Sequence, residues 1–339
     1  MRCAAAGQPG KIQLIDFPDP QVGPRDVMLA TSACGICATD LKSIAKGAEK
    51  PEYALGHEVV GKVIEAGNQS RWTIGQRAVV APYLPCGACH YCLNGQPTLC
   101  KHLFDTCPFP GGMAERVFVP GDLVKRGLIP VSDTLSDEYA ALAEPLGCVI
   151  KGIEDSQVET GDSVLVIGDG PMGLMAAAVA RAYGAFPVMV AGMTPSRLEA
   201  AYQNFADVVV DVTQVDLQAE VKKHTSGRGA DVVIAAVSAG ETLMTAIQCV
   251  RPGGTVNAFA GVPDGTTIPL DLRKLHYNQI HLTGSFGTAP EHMVKALHLL
   301  DHKKVPAGAI VTACYPFTQI QEAVDVALQR QGLKIVVTF

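Results

Sequence analysis

The feature that most constrains this chain is a strict alternation of short apolar runs with helical patterns between about residues 160 and 285. SVLVIG is followed by PMGLMAAAVARAYG, VMVAG by SRLEAAYQNF, VVVD by LQAEVKKHT and DVVIAAV by ETLMTAIQCV, and TVNAFAG closes the series. Runs this short and this uniformly apolar suit strands buried on both faces. A helix between consecutive strands is the crossover that parallel pairing requires. The segment therefore predicts an α/β unit with a doubly wound parallel sheet.

The first 130 residues have another texture, rich in Gly and Pro with short β-branched runs such as KIQLIDF, DVMLA, HEVVGKVIEAG, RAVVAP and AERVFVP. These predict short strands and tight turns, a β body of barrel type. Between the two textures, SDEYAALAEPLGCVIKGIE predicts a helix capped by Ser136, with Pro145 kinking it or marking a start. After about residue 286, EHMVKALHLLDH and QIQEAVDVALQR predict helices and KIVVTF a last strand, and periodicity alone leaves this segment assignable to either body.

With 339 residues, 48% hydrophobic and 18% charged, the chain can bury a sizeable core. A net charge of −6 without basic runs argues against nucleic acid or an anionic membrane surface as partner. No signal peptide is expected at the N-terminus, and the most apolar stretch, SVLVIGDGPMGLMAAAVA, is too interrupted by glycine, Asp169 and Pro171 for a membrane span. Eleven cysteines, an odd count, point to a reducing compartment, the cytoplasm, and to metal ligation. Cys3, Cys148, Cys249 and Cys314 stand singly among apolar residues and are expected to pack as small hydrophobes.

Residues 86 to 100 read CGACHYCLNGQPTLC, placing Cys86, Cys89, Cys92 and Cys100 within one loop. Four thiolates so close suit a closed tetrahedral zinc site. An iron–sulfur cluster is the rival, but its motif wants a nearer fourth cysteine followed by proline, and Lys101 follows Cys100. The lobe 86–107 is thus expected to hold zinc for structure.

VLVIGDGPMG spaces Gly168, Gly170 and Gly173 as G-x-G-x-x-G, after a strand and opening a helix with Pro171 and Met172. That context gives a tight turn, close backbone approach to a pyrophosphate and a helix N-terminus facing its charge. The acid expected at the end of the next strand, to hold the adenosine ribose, is missing. Ala191 and Gly192 occupy its place, and no acid precedes Glu199. Thr194, Ser196 and Arg197 follow, which tilts the expectation from NAD toward NADP, although Arg197 also suits a helix surface or an adenine stack.

Three further segments carry potential metal ligands: CGICATD (34–40), GHEVVG (56–61) and AEPLG (143–147). Cys37, His57, Glu58 and Glu144 together offer one sulfur, one nitrogen and two carboxylates, an acceptable set for an open zinc site. In this order, with the cysteine loop and with VIGDGPMG and the VRPGG turn at 250–254, the chain resembles the zinc-dependent medium-chain dehydrogenase/reductase superfamily over its full length. Within that superfamily it is most similar to the sorbitol (polyol) and threonine dehydrogenase branch.

The resemblance implies a GroES-like β domain over 1–155 and 287–339 and a Rossmann domain over 156–286. It implies Cys37 and His57 as ligands of a catalytic zinc, completed by Glu58 or Glu144. Thr39 is then the hydroxyl that accepts the substrate proton, and Asp40 the carboxylate that orients the histidine. Hydride would pass between a secondary alcohol (a polyol, sugar alcohol or hydroxy-amino acid) and NAD(P), in a homodimer or homotetramer with two zinc ions per chain. Phe104 falls where the family builds its pocket wall, though it equally suits a core position. Cys34 would be a packed thiol, and Cys107 has no assigned role. Two departures stand out. Lys42 occupies the place of a relay histidine, and Gly287 the place of a polyol-holding arginine, which weakens the case for sorbitol itself. The alternatives are a dehydrogenase of small apolar alcohols, against which Glu144 speaks, and a non-catalytic nucleotide-binding protein on the same scaffold.

Overall fold

The computed structural model describes residues 1–48 and 53–339. The chain forms two compact units, one of Met1–Gly147, Thr288–His302 and Val311–Phe339, the other of Cys148–Gly287 with Lys303–Ile310. The division thus falls at 147/148 rather than 155/156, because the helix Ala143–Asp155 runs from one unit into the other. Within the C-terminal segment, Lys303–Ile310 separates from its neighbours and joins the second unit.

The second unit is built on a six-stranded parallel sheet in the spatial order Val208–Asp211, Val188–Gly192, Val164–Ile167, Ala230–Ala235, Val250–Ala258, His281–Gly284. Numbered along the chain this is 3-2-1-4-5-6, with the order reversing between the first and fourth strands. The strands Val164–Ile167, Val188–Gly192 and Ala230–Ala235 are buried at every position, as apolar runs without alternation require. Helix Pro171–Ala182 buries eight consecutive residues from Gly173 to Ala180, and the small side chains of that run let it lie close to the sheet.

The first unit contains a seven-stranded sheet and a separate hairpin, Arg2–Ala6 with Ile12–Asp16. Its central strand, Val27–Gly35, pairs along one edge with Glu58–Ala66. Its other edge is shared, with Val27–Ala30 on Arg116–Val119 and Ala33–Gly35 on Lys334–Thr338. One strand serving two partners on the same side, with register shifts at Met28/Leu29 and Thr31/Ala33, curls the sheet into the expected barrel type. The strand Val311–Pro316 adds in parallel to Lys334–Thr338 and brings the C-terminal segment into this body.

Ser136 caps its helix as expected, its hydroxyl accepting from the Tyr139 N–H at 3.4 Å. The helix breaks after Ala140 and resumes at Ala143, so Pro145 lies in the first turn, where its missing N–H costs nothing. Cys3, Cys34 and Cys249 are buried thiols, and burial pushes Cys3 and Cys249 up to about 11. Cys314 and Cys148 differ from the expectation. Cys314 is exposed because Val311–Pro316 alternates inward and outward residues, and Cys148 is only half-buried on its helix. Among the described residues no helix is long and apolar enough to cross a membrane.

Gly173 shows how tightly the first turn of Pro171–Ala182 is seated, since a Cβ there would collide with the Gly168 carbonyl oxygen. Gly173→Ala is expected to destabilise the second unit by about 1–3 kcal/mol, read as a lower denaturation midpoint in urea.

Candidate functional site

Three of the four proposed catalytic ligands converge in the first unit. Cys37 follows the end of strand Val27–Gly35 and caps the helix Ala38–Lys46, while His57 directly precedes the neighbouring strand Glu58–Ala66, which Glu58 opens. The register sets Gly35 opposite Glu58 on one side and opposite Val336 on the other. One ligand atom each of Cys37, His57 and Glu58 lies within 4.8 Å of the other two.

Asp40 joins the two segments. Its Oδ2 accepts the Cys37 N–H at 2.9 Å, and its Oδ1 accepts the Gly56 N–H at 3.0 Å and lies 3.7 Å from His57 Nδ1. The carboxylate is buried, so these bonds fix both ligand-bearing segments at once. Burial alone would lower the His57 pKa. The Cys37 sulfur, with Asp40 and Glu144, outweighs it and holds His57 up at about 10. A pocket this rich in anionic groups favours a cation.

Glu58 is fully buried and pairs with the equally buried Lys334, whose ammonium also donates to the Ile36 carbonyl at 3.0 Å. Burial opposes the charge on Lys334, but Glu58, Cys37 and Glu144 raise its pKa well above the ordinary value. That leaves Glu58 Oε2 buried without a hydrogen-bond partner among the described residues. A Cβ on Gly35 would collide with that oxygen, so only glycine leaves it room. A thiol, an imidazole and a carboxylate with an unpartnered oxygen, gathered in one cluster, fit a divalent metal of the zinc type.

Glu144, buried in the first turn of Ala143–Asp155, acts electrostatically on His57 and Lys334 but lies outside the three-residue set. Thr39 is exposed, its Oγ1 3.8 Å from the Cys37 sulfur, and Lys42 is exposed on the same helix. Phe104 is also exposed, at 60%, which removes the core alternative, and it packs edge-on against Tyr83 at 5.0 Å. The exposed Cys107 thiol bonds the Phe104 carbonyl at 3.4 Å.

Cys86, Cys89, Cys92 and Cys100 form a second set in the same unit, again with sulfurs within 4.8 Å of one another. The Cys89–Cys92 and Cys86–Cys92 sulfurs are 3.5 and 4.0 Å apart. Four thiolates each about 2.3 Å from a zinc ion would have tetrahedral edges of about 3.8 Å. Backbone N–H groups of Ala88 and Cys89 reach Cys86 Sγ at 3.4 and 3.3 Å, and those of Cys86 and His102 reach Cys100 Sγ at 3.3 Å. Such donors hold Cys86 below its ordinary pKa and Cys89 down at about 6, whereas burial pushes Cys92 up to about 12. Gly87 and Gly95, at φ +77 and +72, allow the loop to fold back on its own sulfurs.

In the second unit, Gly168 takes φ +132 directly after strand Val164–Ile167. Gly170 differs from its neighbours in facing open space, with nothing within 4 Å of where a Cβ would be. Pro171 and Met172 begin the helix, and the first-turn N–H groups, Met172 and Gly173 among them, have no acceptor within it. Backbone donors and open space together can receive a pyrophosphate. At the end of the next strand, Gly192 is followed by exposed Met193 and by Thr194, which caps the helix Pro195–Asn204 carrying Arg197 in its first turn. Sequence alone missed Lys334, Gly35 and Asp169. A lysine inside an otherwise apolar terminal strand was the one available signal.

Comparison with known proteins agrees with this geometry. Residues 23–132 match the alcohol dehydrogenase GroES-like domain family, and residues 171–302 match the zinc-binding dehydrogenase family. Among curated proteins, the sorbitol dehydrogenase of Bacillus subtilis strain 168 is 32% identical, covering 99% of this chain and 97% of the relative. The L-threonine 3-dehydrogenase of Pyrococcus horikoshii is 31% identical over 94% of this chain and 92% of its own. Among solved structures, the alcohol dehydrogenase TADH from Thermus sp. ATN1 superposes with a TM-score of 0.90 at 27% identity, covering 100% of this chain and 99% of that one.

Two variants test the two clusters separately. Asp40→Ala is expected to weaken metal binding at the Cys37 cluster by about 10–100-fold while the four-cysteine cluster keeps its metal in a competitive chelator titration. Cys92→Ser is expected to do the reverse and to lower the thermal midpoint.

Proposed function

Because the chain belongs to the zinc-dependent medium-chain dehydrogenase/reductase superfamily, in its polyol dehydrogenase-like branch, we propose that it interconverts a secondary alcohol and a ketone with NAD(P). The observation that carries this proposal is the convergence of Cys37, His57 and the buried Glu58, one of whose carboxylate oxygens has no hydrogen-bond partner among the described residues. When bound, zinc would supply Lewis acidity toward the alcohol oxygen and a nicotinamide would supply hydride-transfer chemistry.

The residues of the chain perform the remaining tasks. Cys37 and His57 would hold the metal, with Glu58 as the carboxylate within reach and Glu144 as a second carboxylate that adds negative charge nearby. Asp40, 3.7 Å from His57 Nδ1, would help to orient the imidazole. Thr39, exposed two residues beyond the Cys37 thiolate, accepts the hydroxyl proton and passes it to solvent. With Lys42 exposed where a relay histidine would stand, proton exit runs through water. Exposed Phe104 supplies apolar surface at the substrate end. Gly168, Gly170, Pro171, Met172 and Gly173 receive the dinucleotide pyrophosphate, and Gly192, Thr194 and Arg197 border its adenosine.

A sulfur–nitrogen–carboxylate set is harder than one rich in thiolate and suits a substrate offering a second oxygen. A polyol, sugar alcohol or hydroxy-amino acid fits that chemistry, and the relatives include a sorbitol and a threonine dehydrogenase. The four cysteines 86, 89, 92 and 100 would hold a second, structural zinc. The eleven cysteines, an odd number with none in a disulfide among the described residues, suit a reducing compartment, the cytoplasm, and the protein is proposed to work there as a homodimer or homotetramer.

Metal analysis is expected to find two zinc ions per chain, and one after Cys37→Ser. That variant should keep its fold by circular dichroism and lose turnover by about 1,000-fold or more. The substrate emerges from a screen of polyols, sugars, hydroxy-amino acids and simple alcohols, followed by reduced-cofactor absorbance. Normal turnover by Cys37→Ser would refute the assignment.

A further inference from the structure

The second strand of the parallel sheet ends without the acid that would hold an adenosine ribose, yet the structure brings one there from another segment. Asp169 lies between the first two glycines of the loop and is buried. Its side chain crosses to the end of strand Val188–Gly192, where Oδ2 accepts the N–H groups of Met193 at 3.0 Å and Thr194 at 2.7 Å. Gly192 makes the crossing possible. A Cβ there would lie 2.5 Å from Asp169 Cβ and 2.6 Å from its Cγ. The neighbouring acid on the third strand, Asp211, is the register partner of Gly192 but bonds Thr213 through its N–H at 2.9 Å and Oγ1 at 2.6 Å.

We propose that Asp169 is the residue that sets cofactor specificity, standing in for the missing strand-end acid and selecting NAD over NADP. The proposal rests on the dinucleotide-binding role assigned to this unit. The Met193 and Thr194 N–H groups, at the strand end and the start of the ten-residue helix Pro195–Asn204, are donors that an incoming 2′-phosphate would need. Both are already taken by a carboxylate. A phosphate arriving there loses its donors and meets a fixed like charge, whereas a ribose hydroxyl meets an acceptor. Both N–H groups converge on Oδ2, so Oδ1 is the oxygen available to that hydroxyl. The expectation of NADP from Thr194, Ser196 and Arg197 counted only the residues following the strand, and the tertiary structure adds a carboxylate to them.

The test measures binding rather than turnover, by titrating NADH and NADPH fluorescence against the whole protein. The wild type is expected to bind NADH at least about tenfold more tightly than NADPH. Asp169→Asn keeps the shape and removes the charge, and it should bring the two dissociation constants within about threefold, chiefly through tighter NADPH binding. Asp169→Gly combined with Gly192→Asp returns the acid to the strand end without the 2.5 Å collision and should restore the tenfold preference. If Asp169→Asn does not fold, the double variant and the wild-type ratio decide. Equal or tighter binding of NADPH by the wild type, or a ratio unmoved by Asp169→Asn, overturns the proposal. A wild type that binds neither nucleotide at millimolar concentration overturns the dinucleotide reading itself, and the specificity proposal with it.

Discussion

The Asp40 carboxylate is the contact on which the metal-binding end of the first unit depends. A single buried side chain accepts the N–H of Cys37 and the N–H of Gly56 and faces His57 Nδ1. It therefore locks a helix start to the residues that lead into a strand. Asp40 adds to the strand pairing the bonds that fix the Cys37 and Gly56 backbones, both just outside the paired residues. The sheet register completes the constraint from the other side. Glu58 is held against Gly35, and the Lys334 strand closes on the same central strand through Val336.

Charge balance in that region follows from the same geometry. Cys37, Asp40, Glu58 and Glu144 gather anionic or potentially anionic groups around one imidazole, and burial removes the water that would otherwise screen them. Lys334 offsets part of this charge, donating to one carboxylate oxygen of Glu58 and to the Ile36 carbonyl. The other oxygen stays unpaired inside the protein, an arrangement that is unfavourable unless a cation completes it. The four-cysteine loop reaches its balance by another route, with backbone donors aimed at sulfur before any metal arrives.

Local sequence already revealed the chemistry wherever candidate ligands lie close together along the chain. The four cysteines close within a single loop, and the three glycines act within one strand–turn–helix, so spacing along the chain stands for spacing in space. The apolar runs likewise foretold the parallel sheet, because burial on both faces leaves no polar alternation. The Cys314 expectation missed for a related reason. A thiol among apolar neighbours can still face outward where a strand alternates, and composition does not report which face is solvent.

By itself, the sequence determined the two architectures, the cysteine cluster, the glycine loop and the identities of the candidate ligands, since each is encoded by periodicity or spacing within a few tens of residues. Only the tertiary structure decided how those parts serve one another. It set Glu58 within reach of Cys37 and His57, paired Glu58 with a lysine 276 residues away, and carried Asp169 to the end of a strand that has no acid of its own. The physical reason is the same in all three cases. Strand register, burial and the absence of a Cβ at Gly35 and Gly192 are relations between distant segments, and they exist only once the chain has closed on itself.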